Sequence, residues 1–266
     1  MSALAFDNQR VQRLRRLLGR RSSRHDEGRF VVEGPVLVAE AVAAGWRVEA
    51  QFVPEGSHAE IEGAGPVFEL ADGVFERVAS TETPQAPLAI VAMPDGAASD
   101  SPLSRASFVV VLDRVTDPGN LGTILRSAEA AGADLVVLTP GSVDPYNPKV
   151  VRASAGALFH VPVDTASIEE VAGAGLRLIG TTSHDSPGRT VVAYTQADLT
   201  GRIAVVMGNE AGGLPAEWDD SVGPIRSWIT IPHRGRSESL NVAMATTVVV
   251  FEAMRARPAV DPPAIR

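Results

Sequence analysis

The sequence predicts an α/β protein in which a parallel sheet, covered by helices on both faces, forms the larger, C-terminal part. After residue 106, apolar segments alternate with helix-like segments, and the apolar segments are rich in Val, Ile and Leu without polar alternation. Strands that are buried on both faces of a parallel sheet have this character. With 266 residues, 45% of them hydrophobic, the chain is long enough for one large domain or two smaller ones.

A change of composition marks the predicted domain boundary. Residues 93–105 are rich in Pro, Gly, Ala, Ser and Asp, which is typical of a linker. Before this segment, a strand at 30–34 and a helix that begins at Pro35 indicate a small α/β unit. The predicted divisions are a basic arm at 1–29, a small α/β domain at 30–92, a linker at 93–105, a large domain at 106–258 and a tail at 259–266.

The N-terminal arm is basic although the whole chain is acidic. Residues 1–30 hold eight arginines against three acidic residues, whereas the chain has a formal net charge of −8. A basic arm on an acidic body is typical of proteins that contact a phosphate backbone, but a solvated tail would show the same charge pattern. The arm is predicted to be a helix with one apolar stripe, formed by Val11, Leu14, Leu17 and Leu18.

The strands of the large domain indicate where a ligand would bind. Ligands of open parallel sheets bind beyond the carboxyl ends of the strands, so the loops at those ends are candidate sites. The predicted strands are 108–112, 135–138, 177–180, 203–207 and 228–231, with 161–163 as a weaker candidate.

The loop after the first of these strands leads from Asp113 through a Pro-Gly turn into a helix. Asn120 and Gly122 lie at the mouth of this helix, and Arg126 follows six residues after Asn120. Six residues are nearly two helical turns, so the Arg126 side chain can point back toward the same end. A capped turn with a surface arginine is the alternative interpretation, and the apolar neighbours of Arg126 count against it.

Two further loops combine glycines or polar side chains with buried elements. The segment 208–215 holds three glycines within six residues, which lets a backbone approach a ligand closely, and Glu210 is placed to accept hydrogen bonds. Ser239 lies where an N-cap is expected before the apolar helix 240–254. Asn241 enters that helix and needs a hydrogen-bond partner, although a plain core helix is an equally good interpretation of the stretch.

Several other chemistries lack their sequence signatures. The chain has no cysteine, no H-x-x-x-H pair, no G-x-G-x-x-G or Walker loop and no G-x-S-x-G elbow, so metal, dinucleotide and serine-hydrolase sites are not expected. No uncharged apolar run of membrane-spanning length and no signal-peptide core is present, so no membrane partner is expected. The absence of cysteine fits a reducing compartment, and the expected location is the cytoplasm.

The three loops together closely resemble the SpoU (TrmH-like) branch of the SPOUT RNA methyltransferases. They carry N-x-G-x-x-x-R, then G-N-E-x-G-G-L, then S-L-N-V-A, in that order along the chain. The segment 148–157 is also similar to that family, so the resemblance covers 108–257 strongly. It covers 30–92 more weakly, as a small RNA-binding domain similar to a ribosomal protein fold. Two departures are His233 after the Ile-Pro step and Ala243, where the family often has Met and Ser.

This resemblance implies a deep C-terminal trefoil knot that binds S-adenosylmethionine, a homodimer, and transfer of a methyl group to a ribose 2′-hydroxyl of RNA. Arg126 is then the catalytic arginine, and Asn120, Glu210, Ser239 and Asn241 orient the acceptor and Arg126. The residues expected to bind S-adenosylmethionine are Thr181, Gly208, Asn209, Gly212, Ile231 and Leu240. Those expected to bind RNA are Arg10, Arg13, Arg16, Arg20 and Arg24 of the arm, together with Lys149 and Arg152.

Ribosomal RNA is the expected substrate, because a separate N-terminal domain suits a structured target, and transfer RNA is the alternative. A sulfonium methyl donor needs no metal, and no metal site is expected. Two other hypotheses keep the fold but change the function: a catalytically silent RNA-binding protein, and an enzyme that methylates a base rather than a ribose. The intact Arg126, Glu210 and Asn241 favour the enzyme over the silent protein.

Overall fold

The computed structural model describes residues 3–94, 102–183, 190–209, 212–218, 223–236 and 239–258. Contacts between residues divide the chain into two compact units. The first unit consists of Met1–Ala98 and Asp144–His160, and the second of Ser99–Val143 and Val161–Arg266. The boundary between Ala98 and Ser99 falls within the predicted linker at 93–105. Asp144–His160, which was predicted to lie in the large domain, belongs to the first unit. Residues 95–101 of the linker and the predicted tail at 259–266 lie outside the described residues.

Helices and strands make up most of both units. The helices are α1 (Gln9–Gly19), α2 (Arg21–Glu27), α3 (Pro35–Ala43), α4 (Val74–Val78), α5 (Pro102–Arg105), α6 (Pro118–Ala130), α7 (Pro148–Ala153), α8 (Ile168–Gly173) and α9 (Val242–Ala256). The strands are β1 (Arg29–Glu33), β2 (Val48–Pro54), β3 (Val67–Leu70), β4 (Leu88–Ala92), β5 (Phe108–Leu112), β6 (Leu135–Leu138), β7 (Val163–Thr165), β8 (Arg177–Thr181), β9 (Val191–Ala193), β10 (Ile203–Met207) and β11 (Ser227–Thr230). Short 3₁₀ turns lie at Ala157–Phe159, Tyr194–Gln196 and Ala216–Trp218.

The first unit is built on a four-stranded mixed sheet with the order β1-β4-β2-β3. β4 runs antiparallel to β1 and β2, and β3 runs parallel to β2. The apolar stripe predicted for α1 packs on this sheet, where Val11, Leu14 and Leu17 are fully buried in the same core cluster as Phe52. Residues 1–29 are therefore not a separate arm, because their apolar side chains complete the core of the first unit.

The second unit is built on a seven-stranded sheet in which the described neighbours all pair in parallel, in the order β7-β6-β5-β10-β8-β11-β9. Every residue of the central strands β5 and β10 is buried, which explains why their sequences show no polar alternation. The predicted parallel sheet is confirmed. β7 begins at Val163 rather than at 161, and β9 lies outside the predicted strands because three half-buried residues form too short a pattern.

The segment Asp144–His160 packs on the sheet of the first unit through aromatic rings. Phe30 of β1 contacts Tyr146, with ring centroids 4.9 Å apart. Trp46 packs edge-on against Phe159 at 5.4 Å and donates its indole N–H to the Phe159 carbonyl oxygen at 3.0 Å. Such pairs stabilise more than their buried area alone would, so they account for the membership of this segment in the first unit.

A buried ion pair fixes the start of the same segment. Arg24 of α2 is 3% exposed and Asp144 is 4% exposed, and Arg24 Nε and Nη2 lie 2.8 and 2.6 Å from Asp144 Oδ2. Arg24 Nη1 donates to the carbonyl oxygen of Leu17 at 2.9 Å, while Asp144 Oδ1 accepts the backbone N–H of Tyr146 at 3.1 Å. The prediction that Arg24 binds RNA is therefore wrong, because its guanidinium is enclosed and used within the unit.

We expect Arg24→Ala to lower the free energy of unfolding by about 3–5 kcal/mol, because it removes the buried guanidinium that pairs with Asp144 and leaves only the His25 imidazole, 3.3 Å from Asp144 Oδ1. The matched control is Arg21→Ala on the exposed side of the same helix, for which a change within about 0.5 kcal/mol is expected. Urea unfolding followed by circular dichroism measures both. Equal losses for the two variants would contradict a structural role for the ion pair.

Candidate functional site

The three candidate loops all follow the carboxyl ends of strands in the sheet of the second unit. β5 and β10 are neighbours whose last residues, Leu112 and Met207, are paired, so the loops that follow them start side by side. β11 leads through residues 231–241 into α9. Because parallel strands end at a common edge, all three loops lie at the edge where ligands of open α/β sheets bind.

The first and third loops meet in a hydrogen bond between two asparagines. Asn241 Nδ2 donates to Asn120 Oδ1 at 3.0 Å. Asn241 is also the N-cap of α9, since its Oδ1 accepts the backbone N–H groups of Ala243 and Met244 at 2.9 and 3.3 Å. The cap occupies the amide oxygen, so the amide nitrogen has to face Asn120. The prediction that Ser239 is the N-cap is wrong, whereas the partner expected for Asn241 is found.

Residues at the start of α6 hold Asn120 in place. Asp117 is the N-cap of α6, and its Oδ1 accepts the backbone N–H of Asn120 at 2.7 Å. Further along the helix, the hydroxyl oxygens of Ser127 and Thr247 lie 2.6 Å apart and join α6 to α9. None of these supporting residues is among the site residues predicted from the sequence. An aspartate directly before Pro118 is a common start of a helix, so Asp117 could have been identified from the sequence.

Arg126 lies on the exposed side of α6, between the buried residues Leu125 and Ser127. Within the described part of the chain, its guanidinium forms no hydrogen bond or ion pair, so the structure does not join it to the asparagine pair. Ser239 is exposed shortly before α9, and Glu210 lies outside the described residues. The arrangement leaves an exposed cation on the helix that begins at the ligand-binding edge, where an anionic group can reach it.

The described residues of the glycine-rich loop after β10 lie close together on both sides of residues 210–211, which are outside the described part of the chain. A Cβ added at Gly208 would lie 2.7 Å from the backbone nitrogen of Leu214 and 2.8 Å from Gly213 Cα, so only glycine fits there. Among the described residues, the nearest atom to a Cβ added at Gly212 would be Asn209 Oδ1, at 3.7 Å. Asn209 Oδ1 in turn accepts the Gly212 N–H at 2.7 Å. Gly208 is thus required by the loop itself, whereas Gly212 leaves open space in which a ligand can approach.

The other residues predicted to bind S-adenosylmethionine lie near the same edge but differ in availability. Thr181 ends β8, and its hydroxyl donates to the Val206 carbonyl oxygen at 3.0 Å, so the hydrogen-bond donor of this hydroxyl is already used. Ile231 is half-buried directly after β11, and Leu240 is 37% exposed before α9. Apolar side chains beside a glycine-rich backbone fit the needs of an adenosine, which packs its base and hydrogen-bonds its edge.

The predicted RNA-binding side chains of the first unit also differ in how available they are to bind a phosphate. Arg13 hydrogen-bonds the carboxylates of Glu27 and Glu49 at 2.6 and 3.3 Å. Burial lowers the pKa of Arg13, but these hydrogen bonds raise it above its ordinary value overall. The pairing leaves Arg13 with little capacity for a phosphate. The exposed candidates are Arg10, Arg16, Arg20 and Lys149, whereas Arg152 is half-buried.

Neither a membrane-spanning helix nor a metal site is found among the described residues. No described helix has the length and hydropathy needed to span a bilayer. The part of the chain that the structure describes also contains no group of three or more His, Asp or Glu side chains arranged to hold a metal ion.

We expect Asn241→Ala to lower the free energy of unfolding by about 0.5–2 kcal/mol, because α9 loses its cap. In Asn241→Asp a carboxylate oxygen can still cap α9, so the stability of this variant should stay near that of the wild type. The variant lacks the amide N–H that donates a hydrogen bond to Asn120. Thermal unfolding measures the first effect, and the proton chemical shifts of the Asn120 side-chain amide report the second. Equal destabilisation by Ala and Asp would contradict the capping role.

Two family models match the chain. The SpoU rRNA Methylase family matches residues 107–251, and the MRM3-like substrate binding domain matches residues 8–89. The second match begins within the segment that was predicted to be a separate arm. It therefore agrees with the core position of α1 in the first unit.

Relatives of known activity match over nearly the whole chain. The 23S rRNA (guanosine(2553)-2′-O)-methyltransferase RlmP of Bacillus subtilis is 31% identical over 250 residues, which are 92% of this chain and 95% of the relative. The 23S rRNA (uridine(2479)-2′-O)-methyltransferase of Streptomyces viridochromogenes is 31% identical over 269 residues, 94% of this chain and 91% of the relative.

Solved structures show the same fold. The AdoMet-bound rRNA methyltransferase from Sinorhizobium meliloti has a TM-score of 0.79 at 30% identity and covers 96% of this chain and 97% of its own. The SpoU methyltransferase AviRb from Streptomyces viridochromogenes, solved with AdoMet, has a TM-score of 0.78 at 30% identity, with 93% and 97% covered. These findings confirm the predicted fold class and the predicted activity, an RNA methyltransferase that uses S-adenosylmethionine. The trefoil knot stays a prediction. The chain belongs to the SpoU rRNA methylase family.

Proposed function

We propose that this protein transfers a methyl group from S-adenosylmethionine to a ribose 2′-hydroxyl of ribosomal RNA. The observation that carries the proposal is the Asn241–Asn120 hydrogen bond, which joins the first and third family motifs at the ligand-binding edge of the sheet. The two relatives described above, named for 2′-O-methylation of 23S rRNA, support the ribose and the ribosomal substrate.

Arg126 acts on the acceptor side of the reaction. When bound, S-adenosylmethionine supplies an electrophilic methyl group on a sulfonium for in-line transfer to the hydroxyl oxygen, with the sulfur leaving as a neutral thioether and the hydroxyl proton passing to water. A guanidinium stays protonated in proteins, so Arg126 serves as a cation that holds a neighbouring phosphate and stabilises the developing alkoxide, rather than as a base. Asn120, Ser239 and Asn241, with Glu210, orient the acceptor. Positioning of the two reactants then contributes much of the rate acceleration.

The donor site consists of the glycine-rich loop and the residues that follow β11. Gly212 and the backbone around Asn209 accommodate the close approach of a ligand, and Ile231 and Leu240 provide apolar contacts for the adenine. Gly208 acts indirectly, because it allows the loop to close on itself. Thr181 acts in the same indirect way through its hydrogen bond to β10.

The first unit binds the RNA through its exposed basic side chains. Arg10, Arg16 and Arg20 on α1 and its end are exposed, and Lys149 extends from α7. Each phosphate contact contributes about one unit to the log–log slope of affinity against salt. Deletion of residues 1–29 is unsuitable as a test, because it removes core residues. The test is a set of single Arg→Gln variants at the exposed positions. If none of them changes the salt dependence of RNA affinity, these side chains do not bind the RNA.

A second copy of the chain covers the exposed face of α9. Met244, Phe251 and Met254 are 64%, 39% and 44% exposed and lie within one arc of the helix, although large apolar side chains are usually buried. The opposite side of α9 packs on α6. The exposed apolar face that remains is suited to a two-fold interface with a second copy. We expect sedimentation velocity to show a dimer at micromolar concentration and Phe251→Glu to weaken it. A monomeric wild type would contradict the interface.

The decisive experiment follows methyl transfer to ribosomal RNA that lacks the modification. Mass spectrometry of nuclease digests should locate the new methyl group on a ribose. Arg126→Ala should abolish turnover while leaving the affinity for S-adenosylmethionine within a few-fold, as measured by calorimetry. The matched control is Arg177→Ala, which should keep full activity. Arg177 is the first residue of β8 and so lies at the amino ends of the strands, away from the three loops.

Three results would count against the proposal in different ways. Methyl groups on bases would exclude the ribose, and methylation of transfer RNA alone would exclude the ribosomal substrate. A wild-type protein that binds RNA but no S-adenosylmethionine would indicate the silent RNA-binding protein. Loss of donor binding in a folded Arg126→Ala variant would place Arg126 on the donor side instead.

A further inference from the structure

A pocket of about 320 Å³ lies within the first unit. It opens between the end of β1, the first turn of α3 and the loop 80–85, with Arg152 of α7 on one side. This volume is in the range of small-molecule sites. Arg152 is the one lining residue predicted to bind RNA, and none of the three family motifs contributes to the pocket.

The pocket is lined by a nearly buried carboxylate, that of Glu33. The Glu33 side chain is 7% exposed. Its Oε1 accepts the Thr81 hydroxyl at 2.6 Å and the backbone N–H of Gln85 at 3.3 Å. Among the described residues, Oε2 accepts only a long hydrogen bond, from the Ser80 hydroxyl at 3.4 Å. Because a carboxylate can accept about four hydrogen bonds, Oε2 has capacity for a donor from a ligand.

A guanidinium and an apolar surface lie beside this carboxylate. Arg152 Nη1 donates to Ser80 Oγ at 2.8 Å and lies 4.0 Å from Glu33 Oε2. The other two guanidinium nitrogens have no hydrogen-bond partner in the described part of the chain. Val36 is 76% exposed, more than any other large hydrophobic residue that the structure describes, and it lines the pocket together with Leu37. The core of the unit therefore gives no reason for an apolar side chain at Val36.

This set of groups suits a nucleobase better than a bare phosphate. A phosphate has no donor for Glu33, and the carboxylate would repel it. A base has a flat apolar face for Val36, and unpaired RNA bases are recognised through donors and acceptors on their edges. Guanine places the acceptor O6, a common partner of arginine, next to its N1–H and N2–H donors, which match a carboxylate.

We propose that this pocket of the first unit receives an unpaired guanine of the RNA substrate. Glu33 Oε2 accepts a hydrogen bond from the N1–H and N2–H edge, Arg152 donates to O6, and Val36 packs against the face of the base. The inference rests on the proposed function and deepens it, because it specifies how the RNA is recognised. It assigns no methylated nucleotide, since Asn120, Arg126 and Asn241 belong to the second unit.

The test compares the affinity of the full chain for two short oligouridylates, one with a central guanosine and one with a central adenosine. Fluorescence anisotropy at fixed salt should show tighter binding of the guanosine RNA, by about fivefold or more. Arg152→Gln should reduce this ratio to about one. The control Arg20→Gln removes an exposed arginine outside the pocket, so it should weaken both RNAs equally and keep the ratio.

A second measurement uses the wild-type protein alone, so it does not depend on the folding of a variant. An oligouridylate with a central 6-thioguanosine carries its reactive sulfur in place of O6, so it should photo-crosslink to the peptide that contains Arg152 or to neighbouring pocket peptides with residues 33–37 or 80–85. Equal affinities for the two RNAs, a guanine preference that survives Arg152→Gln, or crosslinks only elsewhere would each overturn the inference. If ribosomal RNA is methylated on ribose without any guanine preference, the pocket assignment fails and the proposed function stands. If neither RNA binds and no methyl group is transferred, both fail.

Discussion

The hydrogen bond between Asn241 and Asn120 is the contact on which the geometry of the candidate site depends. The two residues are 121 positions apart and meet because the strands before them are parallel and end at a common edge of the sheet. Their orientation is set by helix capping: Asn241 caps α9 with its oxygen, and Asp117 holds the backbone of Asn120 at the start of α6. A shift of either helix start by one residue would turn the amides apart. The chemistry that starts the helices therefore also positions the site.

The first unit shows that formal charge and available charge differ. Three arginines surround Glu49: Arg13, Arg29 and Arg47 all lie within ion-pair distance of its carboxylate. Burial raises the pKa of Glu49, but hydrogen bonds from these arginines lower it below its ordinary value overall. Together with the burial of Arg24, this pairing removes much of the positive charge that the composition of residues 1–30 suggests. The charge that remains is concentrated in a few exposed side chains.

The sequence was informative wherever a pattern depends on neighbours along the chain. The apolar strands, the polar residues at their ends and the stripe of α1 all have a period or an order that can be counted. Burial of a charged residue has no such pattern, and Asp144, the partner of Arg24, is 120 positions away, so the sequence does not distinguish Arg24 from the surface arginines. The start of α7 is equally visible in Asn147 and Pro148, but no local signal indicates which sheet the helix packs on. The pocket at Glu33 could not be predicted because its walls come from segments distant in sequence.

The membership of Asp144–His160 in the first unit has a consequence for the order in which the chain is made. When Met1–Ala98 has left the ribosome, Arg24 still lacks its carboxylate and the indole of Trp46 lacks its acceptor. Both arrive only after β5 and β6 have been synthesised, and these strands in turn await β10 and β7. The first sheet and its core lie within Met1–Ala98 and can form early, but the first unit is completed only after part of the second unit has been synthesised. Neither unit corresponds to a continuous fragment, so the two complete their folding in an interleaved order.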